Sequence, residues 1–185
     1  MGVRPLSTKA VFLDRDGVIN RAIVRDGRPF PPPSLNKLEI IPDVPESLRL
    51  LKENGLLLIV VTNQPDVGRG TQTKETIEEM HSFLLQHLSL NDIYVCWHGQ
   101  DGECDCRKPL PGMLFKASLD WQIVLEKSFM IGDRWRDVDM GNAVGCKTVF
   151  LDHHYDEPLH SEPDYKTTSI KYAVEWILNS LSLTV

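Results

Sequence analysis

Strand-like and helix-like patterns alternate along this chain, and no other feature restricts its fold so tightly. Short strand-like runs fall at residues 10–13, 56–61, 92–95, 128–131 and 147–151. Between and after them lie helix-patterned segments at 43–54, 73–88, 111–121, 137–144 and 168–181. Parallel strands need crossovers, most often helices, so the alternation predicts a doubly wound, mostly parallel Rossmann-like α/β sheet with helices on both faces. The run 56–61 is apolar at every position, as for a strand buried on both sides. Asp43, with Glu46 three residues on, reads as a capping box, and Gly55 ends that helix. Four prolines (Pro29, Pro31, Pro32 and Pro33) exclude a regular helix from 21–42, which reads as a surface loop with a short extended piece at 38–41. Residues 152–167 read as a polar loop.

The chain's 185 residues suit one domain, expected to span 1–185. Its 20 basic and 26 acidic residues leave a net charge of −6, which argues against nucleic-acid binding. The longest apolar run has six residues, against roughly 20 for a membrane span, and the first nine lack the apolar stretch of a signal peptide. The expectation is a cytoplasmic monomer acting on a small molecule.

In open α/β sheets, ligands bind beyond the carboxyl ends of the strands. The residues there are Asp14-Arg15-Asp16-Gly17, Thr62-Asn63-Gln64, Cys96-Trp97-His98, Gly132-Asp133 and Asp152. Crowded carboxylates repel unless a cation joins them or one holds a proton. Asp14, Asp16 and Asp133, with Asp137 one helical turn on, would make a hard, oxygen-rich site suited to Mg²⁺. Each acid taken alone could merely cap a turn or a helix. Together with Thr62 and Lys108 they suit phosphoryl transfer: a carboxylate to attack phosphorus, a second acid to move the proton, and a hydroxyl and a lysine to hold the phosphoryl oxygens.

The order and spacing of four segments resemble the haloacid dehalogenase superfamily of phosphatases. They are Phe12-Leu13-Asp14-Arg15-Asp16-Gly17-Val18-Ile19-Asn20, Val60-Val61-Thr62-Asn63-Gln64, Cys106-Arg107-Lys108-Pro109 and Met130-Ile131-Gly132-Asp133-Arg134. The resemblance implies that Asp14 is the nucleophile and a Mg²⁺ ligand. It makes Asp16 the general acid and base, giving its main-chain carbonyl to the metal. Thr62 and Lys108 bind the transferred phosphate, with Asn63 beside them, and Asp133 is a metal ligand with Asp137 behind it. A phospho-receiver module shares much of this set, but there the acidic pair precedes the accepting Asp.

Cys96, His98, Cys104 and Cys106 have the spacing of a closed, structural Zn²⁺ site, forming a knuckle over 96–106. It would fix Arg107 and Lys108 at the mouth of the acidic site. The knuckle and the segment 107–113 resemble those of heptose 1,7-bisphosphate phosphatases, with histidinol-phosphate phosphatases sharing much of the pattern. Neither gap between motifs has room for a cap domain. Arg69 and Arg107 are therefore the spare cations for a second phosphate. One departure stands out: Pro65-Asp66 occupies the place where those phosphatases usually carry Ser-Gly.

Overall fold

The computed structural model describes residues 8–99 and 103–182. The first seven residues, the end of the chain, and positions 100–102 of the Cys/His knuckle lie outside the described residues.

Strand β1 (Ala10–Leu13) leads to a small hairpin, β2 (Ile23–Arg25) and β3 (Arg28–Phe30), and then to α1 (Val44–Glu53). Next come β4 (Leu57–Asn63), a single-turn helix α2 (Pro65–Gly68), α3 (Lys74–His87) and β5 (Asp92–Cys96). After the knuckle follow α4 (Gly112–Trp121), β6 (Phe129–Gly132), α5 (Trp135–Ala143), β7 (Lys147–Leu151), β8 (Tyr165–Thr167) and α6 (Ile170–Ser182). Among the described residues the main sheet has six strands in the order β5-β4-β1-β6-β7-β8, all parallel. This is the doubly wound α/β fold expected, with no separate cap domain among the described residues.

The period-two alternation of a strand divides the core. Val11, Leu13, Leu58, Val60 and Ile131 pack with α1 and α6 on one face. Ala10, Phe12, Ile59, Val61 and Met130 pack with α4 and with Met140 of α5 on the other. Leu48 and Leu51 of α1 are fully buried, and burying such a side chain stabilises the fold by about 1.5–3 kcal/mol. None of the described helices is long and apolar enough to cross a membrane.

Several local expectations change. The segment 21–42 contains the β2–β3 hairpin, turned by Asp26-Gly27 with positive φ at both residues, the backbone a tight two-residue turn needs. Residues 165–167 add the sixth strand to what read as a loop. Helix α5 begins at Trp135, two residues before the expected start. Asp43 sits at the start of α1 in helical conformation without a side-chain cap bond. Its expected partner Glu46 pairs instead with Arg49, so no capping box forms.

Candidate active site

Strand register assembles the site. Leu13 pairs with Val60 on one side and Ile131 on the other, so the residues following β1, at the end of β4 and following β6 emerge at one edge. Asp14 leaves β1, Thr62 and Asn63 close β4, and Asp133 follows β6. Single oxygens of Asp14, Asp133 and Asp137 lie within 4.8 Å of one another. All three residues are buried.

Lys108 enters this cluster as its counterion. Its Nζ lies 2.8 Å from Asp14 Oδ1 and 2.7 Å from Asp137 Oδ1, and donates to the Val61 carbonyl at 3.1 Å. Burial works against the ammonium, but Asp137 and Asp14 hold it more firmly protonated than an ordinary lysine. One cation does not offset three acids. Burial, aided by Asp137 and against the pull of Lys108, pushes Asp14 up to about 6. Burial and then the charges of Asp14 and Asp137 drive Asp133 well above the usual carboxylate range. Both Asp133 oxygens are buried without a regular hydrogen bond. The Tyr155 hydroxyl is brought against them, and burial and Asp133 together raise the phenol's pKa. Buried carboxylate oxygens without regular partners, in a three-acid cluster, fit a hard divalent cation.

Two glycines of the motifs exist for this crowding. A Cβ on Gly17, whose φ is +90°, would stand 1.9 Å from Asp133 Oδ2, and one on Gly132 would stand 2.0 Å from the Cβ of Asp137. Any side chain at either position would displace an acid of the site.

Asp16 has a different environment. Arg15 grips both its oxygens at 2.9–3.1 Å, Asn20 Nδ2 donates to Oδ1 at 2.9 Å, and Gln64 Nε2 donates to Oδ2 at 3.1 Å. Burial favours the neutral acid, but the Arg15 charge and these bonds outweigh it and hold Asp16 below the usual carboxylate range. Thr62 Oγ1 accepts from Gln64 Nε2 at 2.9 Å. The Asn63 carboxamide brackets the Lys108 main chain, accepting from its N–H at 3.1 Å and approaching its carbonyl at 3.3 Å. Asn63 thus places Lys108 while also lining the cleft.

The cleft above these residues has a volume of about 330 Å³, with Asp14, Asp16, Thr62 and Lys108 among its lining residues. Arg69 and Arg107 line it as expected, and Arg28, Arg134 and Arg136 join them. Arg28 was hidden because the hairpin carrying it read as loop. Arg134 and Arg136 had a visible signal, two arginines flanking Trp135 directly after Gly132-Asp133. Glu157, from the loop after β7, takes Arg134 at 2.6 and 2.7 Å, Arg136 at 3.1 Å and the Trp135 indole N–H at 2.9 Å. Pro65 opens α2, and Asp66 pairs with Arg69 at 3.2 Å.

The knuckle residues converge as their spacing predicts. Cys96 Sγ lies 3.5 Å from His98 Nδ1 and 3.8 Å from Cys104 Sγ, and Cys106 Sγ lies 3.3 Å from the same nitrogen. Arg107 Nη1 donates to the His98 carbonyl at 2.9 Å, which ties the cleft's rim to the knuckle.

A parallel sheet with an aspartate pair at its first strand end, a lysine-bridged acidic cluster and, among the described residues, no cap domain defines a phosphatase of the haloacid dehalogenase class. Comparison with known proteins agrees. The HAD-hydrolase-like family matches residues 105–174. The chain is 34% identical over 188 residues to the D-glycero-beta-D-manno-heptose-1,7-bisphosphate 7-phosphatase of Yersinia pestis, covering 95% of this chain and 93% of that protein. It is 35% identical to the protein of the same name from Escherichia coli K12, covering 95% and 91%. The crystal structure of a D,D-heptose 1,7-bisphosphate phosphatase from B. bronchiseptica, complexed with magnesium and phosphate, superposes with a TM-score of 0.78 at 25% identity, covering 94% of this chain and 99% of that one. The chain belongs to the heptose-1,7-bisphosphate 7-phosphatase family of HAD-superfamily hydrolases.

Proposed function

We propose that this chain removes the 7-phosphate of D-glycero-D-manno-heptose 1,7-bisphosphate through an aspartyl-phosphate intermediate. The observation that carries the reading is a cleft that joins a buried acidic floor to a rim of arginines, in a chain whose relatives bear that substrate in their names. Asp14 attacks phosphorus in line, and the bond from phosphorus to the sugar oxygen breaks. Asp16 gives its proton to the departing alkoxide. It then takes one from the water that attacks the aspartyl phosphate, which releases inorganic phosphate and restores Asp14. At rest Asp16 is ionised, so it must gain a proton before the first step, and an incoming phosphate dianion raises its proton affinity. Thr62 and Lys108 hold the transferred phosphoryl group. Arg69 and Arg107, joined by Arg28 and Arg136, take the distal phosphate, for which bidentate guanidinium contacts are suited.

HAD phosphatases use Mg²⁺, and Asp14, Asp133 and the Asp16 carbonyl would hold it here, with Asp137 behind them. When bound it offsets the repulsion between carboxylate and phosphate. The knuckle is assigned to Zn²⁺. Ligands at about 2.3 Å (S) and about 2.0–2.1 Å (N) in a tetrahedron stand roughly 3.8 Å apart for sulfur pairs and roughly 3.5 Å for sulfur and nitrogen. The contacts in the knuckle lie close to those separations. On the same reading the chain works as one domain and as a monomer, and its metal-type cysteine spacing suits the cytoplasm.

The test is phosphate release with Mg²⁺ from both anomers of the heptose bisphosphate, fructose 1,6-bisphosphate, histidinol phosphate and sugar monophosphates. Selective turnover of a heptose bisphosphate, lost in Asp14→Asn, is expected. Preference for another substrate would overturn the assignment.

A further inference from the structure

We propose that His81 is a positioning residue for Asp16, acting through Arg15. The inference rests on the reading of Asp16 as general acid and base. Arg15 is fully buried, although it lies in the turn between two catalytic acids. Its Nε and Nη2 engage Asp16 as a fork, and its Nη1 reaches His81 Nε2 at 3.0 Å. His81 is itself buried on the inner side of α3, with its ring tilted 6.4 Å from that of Trp97.

Chemistry fixes the direction of the bond. A guanidinium donates and cannot accept. His81 must therefore present a lone pair at Nε2 and carry its proton on Nδ1. Burial and the Arg15 charge push its pKa down to about 3, so the ring is neutral across the physiological range. An apolar residue at 81 would leave a buried donor unpaired. The guanidinium would then turn to find another acceptor, and its fork on Asp16 would open. The nucleophile Asp14 does not depend on this arm, since its contacts run to Lys108 and the Arg15 main-chain N–H.

The experiment separates attack from proton transfer. An aryl phosphate with an acidic phenol leaves without a proton, so formation of the aspartyl phosphate shows as a first-turnover burst that needs Asp14 but not Asp16. In His81→Leu the burst is expected at the parent rate. Steady-state turnover and alkyl phosphate hydrolysis should fall on the order of tenfold or more, as for partial loss of general acid–base catalysis. His81→Gln, whose side-chain oxygen can accept the same bond, should recover most of the loss. Burst and turnover falling together would show a structural role only and overturn the proposal, as would full alkyl activity in His81→Leu. Asp16→Asn separates the two claims. If it keeps alkyl turnover, the acid–base reading falls and takes the role of His81 with it. If only His81→Leu keeps turnover, the inference about His81 alone falls. A nitrogen-15 spectrum of the labelled protein reads the geometry without turnover: an unprotonated Nε2 on His81 is expected, and a protonated one overturns the proposal.

Discussion

Replacing Lys108 by methionine keeps most of the length of the side chain and removes the ammonium that sits inside the acidic cluster. Each of its two ion contacts, at 2.7 and 2.8 Å, is worth about 6 kcal/mol gross at an effective dielectric constant of about 20. Desolvation offsets part of that attraction, and breaking a buried pair by removing one partner typically costs about 3–5 kcal/mol. Protonation gives an independent bound. The variant can avoid a bare charge by neutralising a carboxylate whose ordinary pKa is 3.8. At about pH 7.5 that costs roughly 5 kcal/mol, at about 1.4 kcal/mol per pH unit. Both routes place the metal-free Lys108→Met protein about 3–5 kcal/mol below its parent. In a chain of this size that is a fall in Tm of roughly 6–20 °C.

The sign of the pH dependence follows from the same groups. Without Lys108 the folded-state pKa values of Asp14 and Asp133 rise further above their unfolded values. The folded variant then binds more protons than its unfolded chain, so its stability relative to the parent recovers as pH falls towards about 4. Mg²⁺ should narrow the gap too, because a cation again offsets the acids. Urea denaturation of both proteins after treatment with a chelator, at about pH 7.5 and about pH 5, measures this. Equal stability at the higher pH, or a deficit that does not change with pH, would refute the charge argument.

Asp14→Asn should abolish phosphate release yet stabilise the metal-free protein by roughly 3 kcal/mol at neutral pH, since burial has raised the Asp14 pKa from 3.8 to about 6; a lower Tm would contradict the raised pKa. Glu157→Gln should loosen Arg134 and Arg136, costing about 1–2 kcal/mol of stability and tightening competitive inhibition by inorganic phosphate; an unchanged inhibition constant would show that the clasp does not restrain those cations. On the zinc assignment proposed for the knuckle, stripping that metal, verified by elemental analysis, should raise KM for a bisphosphate more than for a monophosphate, because Arg107 is anchored on the His98 carbonyl; equal effects on both substrates would detach the knuckle from the proposed distal site.

The floor of the site was legible in the sequence for a physical reason. Asp14, Thr62 and Asp133 sit where apolar strand runs end, and parallel register brings such ends together. Lys108 follows a metal-type cysteine pattern that fixes its neighbourhood. The rim was only half legible. Arg28 lies on a hairpin whose strands, three residues each, are too short to show a period. Tyr155 and Glu157 come from a loop with no pattern at all, and only the tertiary fold carries them back to Asp133 and to the arginines beside Trp135. His81 looked like one more polar residue of an amphipathic helix, because its partner Arg15 is 66 positions away in sequence.

The pairing of the rim arginines with the chain's own acids bears on selectivity. Arg134 is held by two charge-assisted bonds to a half-buried Glu157, a bidentate pairing that a ligand displaces less easily than a single contact. Arg69 is paired with Asp66 across 3.2 Å with side-chain exposures of 44% and 29%, and such a pair is worth only about 0–1 kcal/mol. Arg69 can therefore exchange Asp66 for a phosphate at little cost, whereas Arg134 keeps its geometry. The Pro65-Asp66 departure then has a physical meaning. Pro65 starts the short turn of α2, and Asp66 holds Arg69 in place over the cleft until a second phosphate competes for it. On the proposed function, a second phosphate gives up about 0–1 kcal/mol to displace Asp66 and meets an arginine already ordered at the cleft, a contact that a monophosphate does not make.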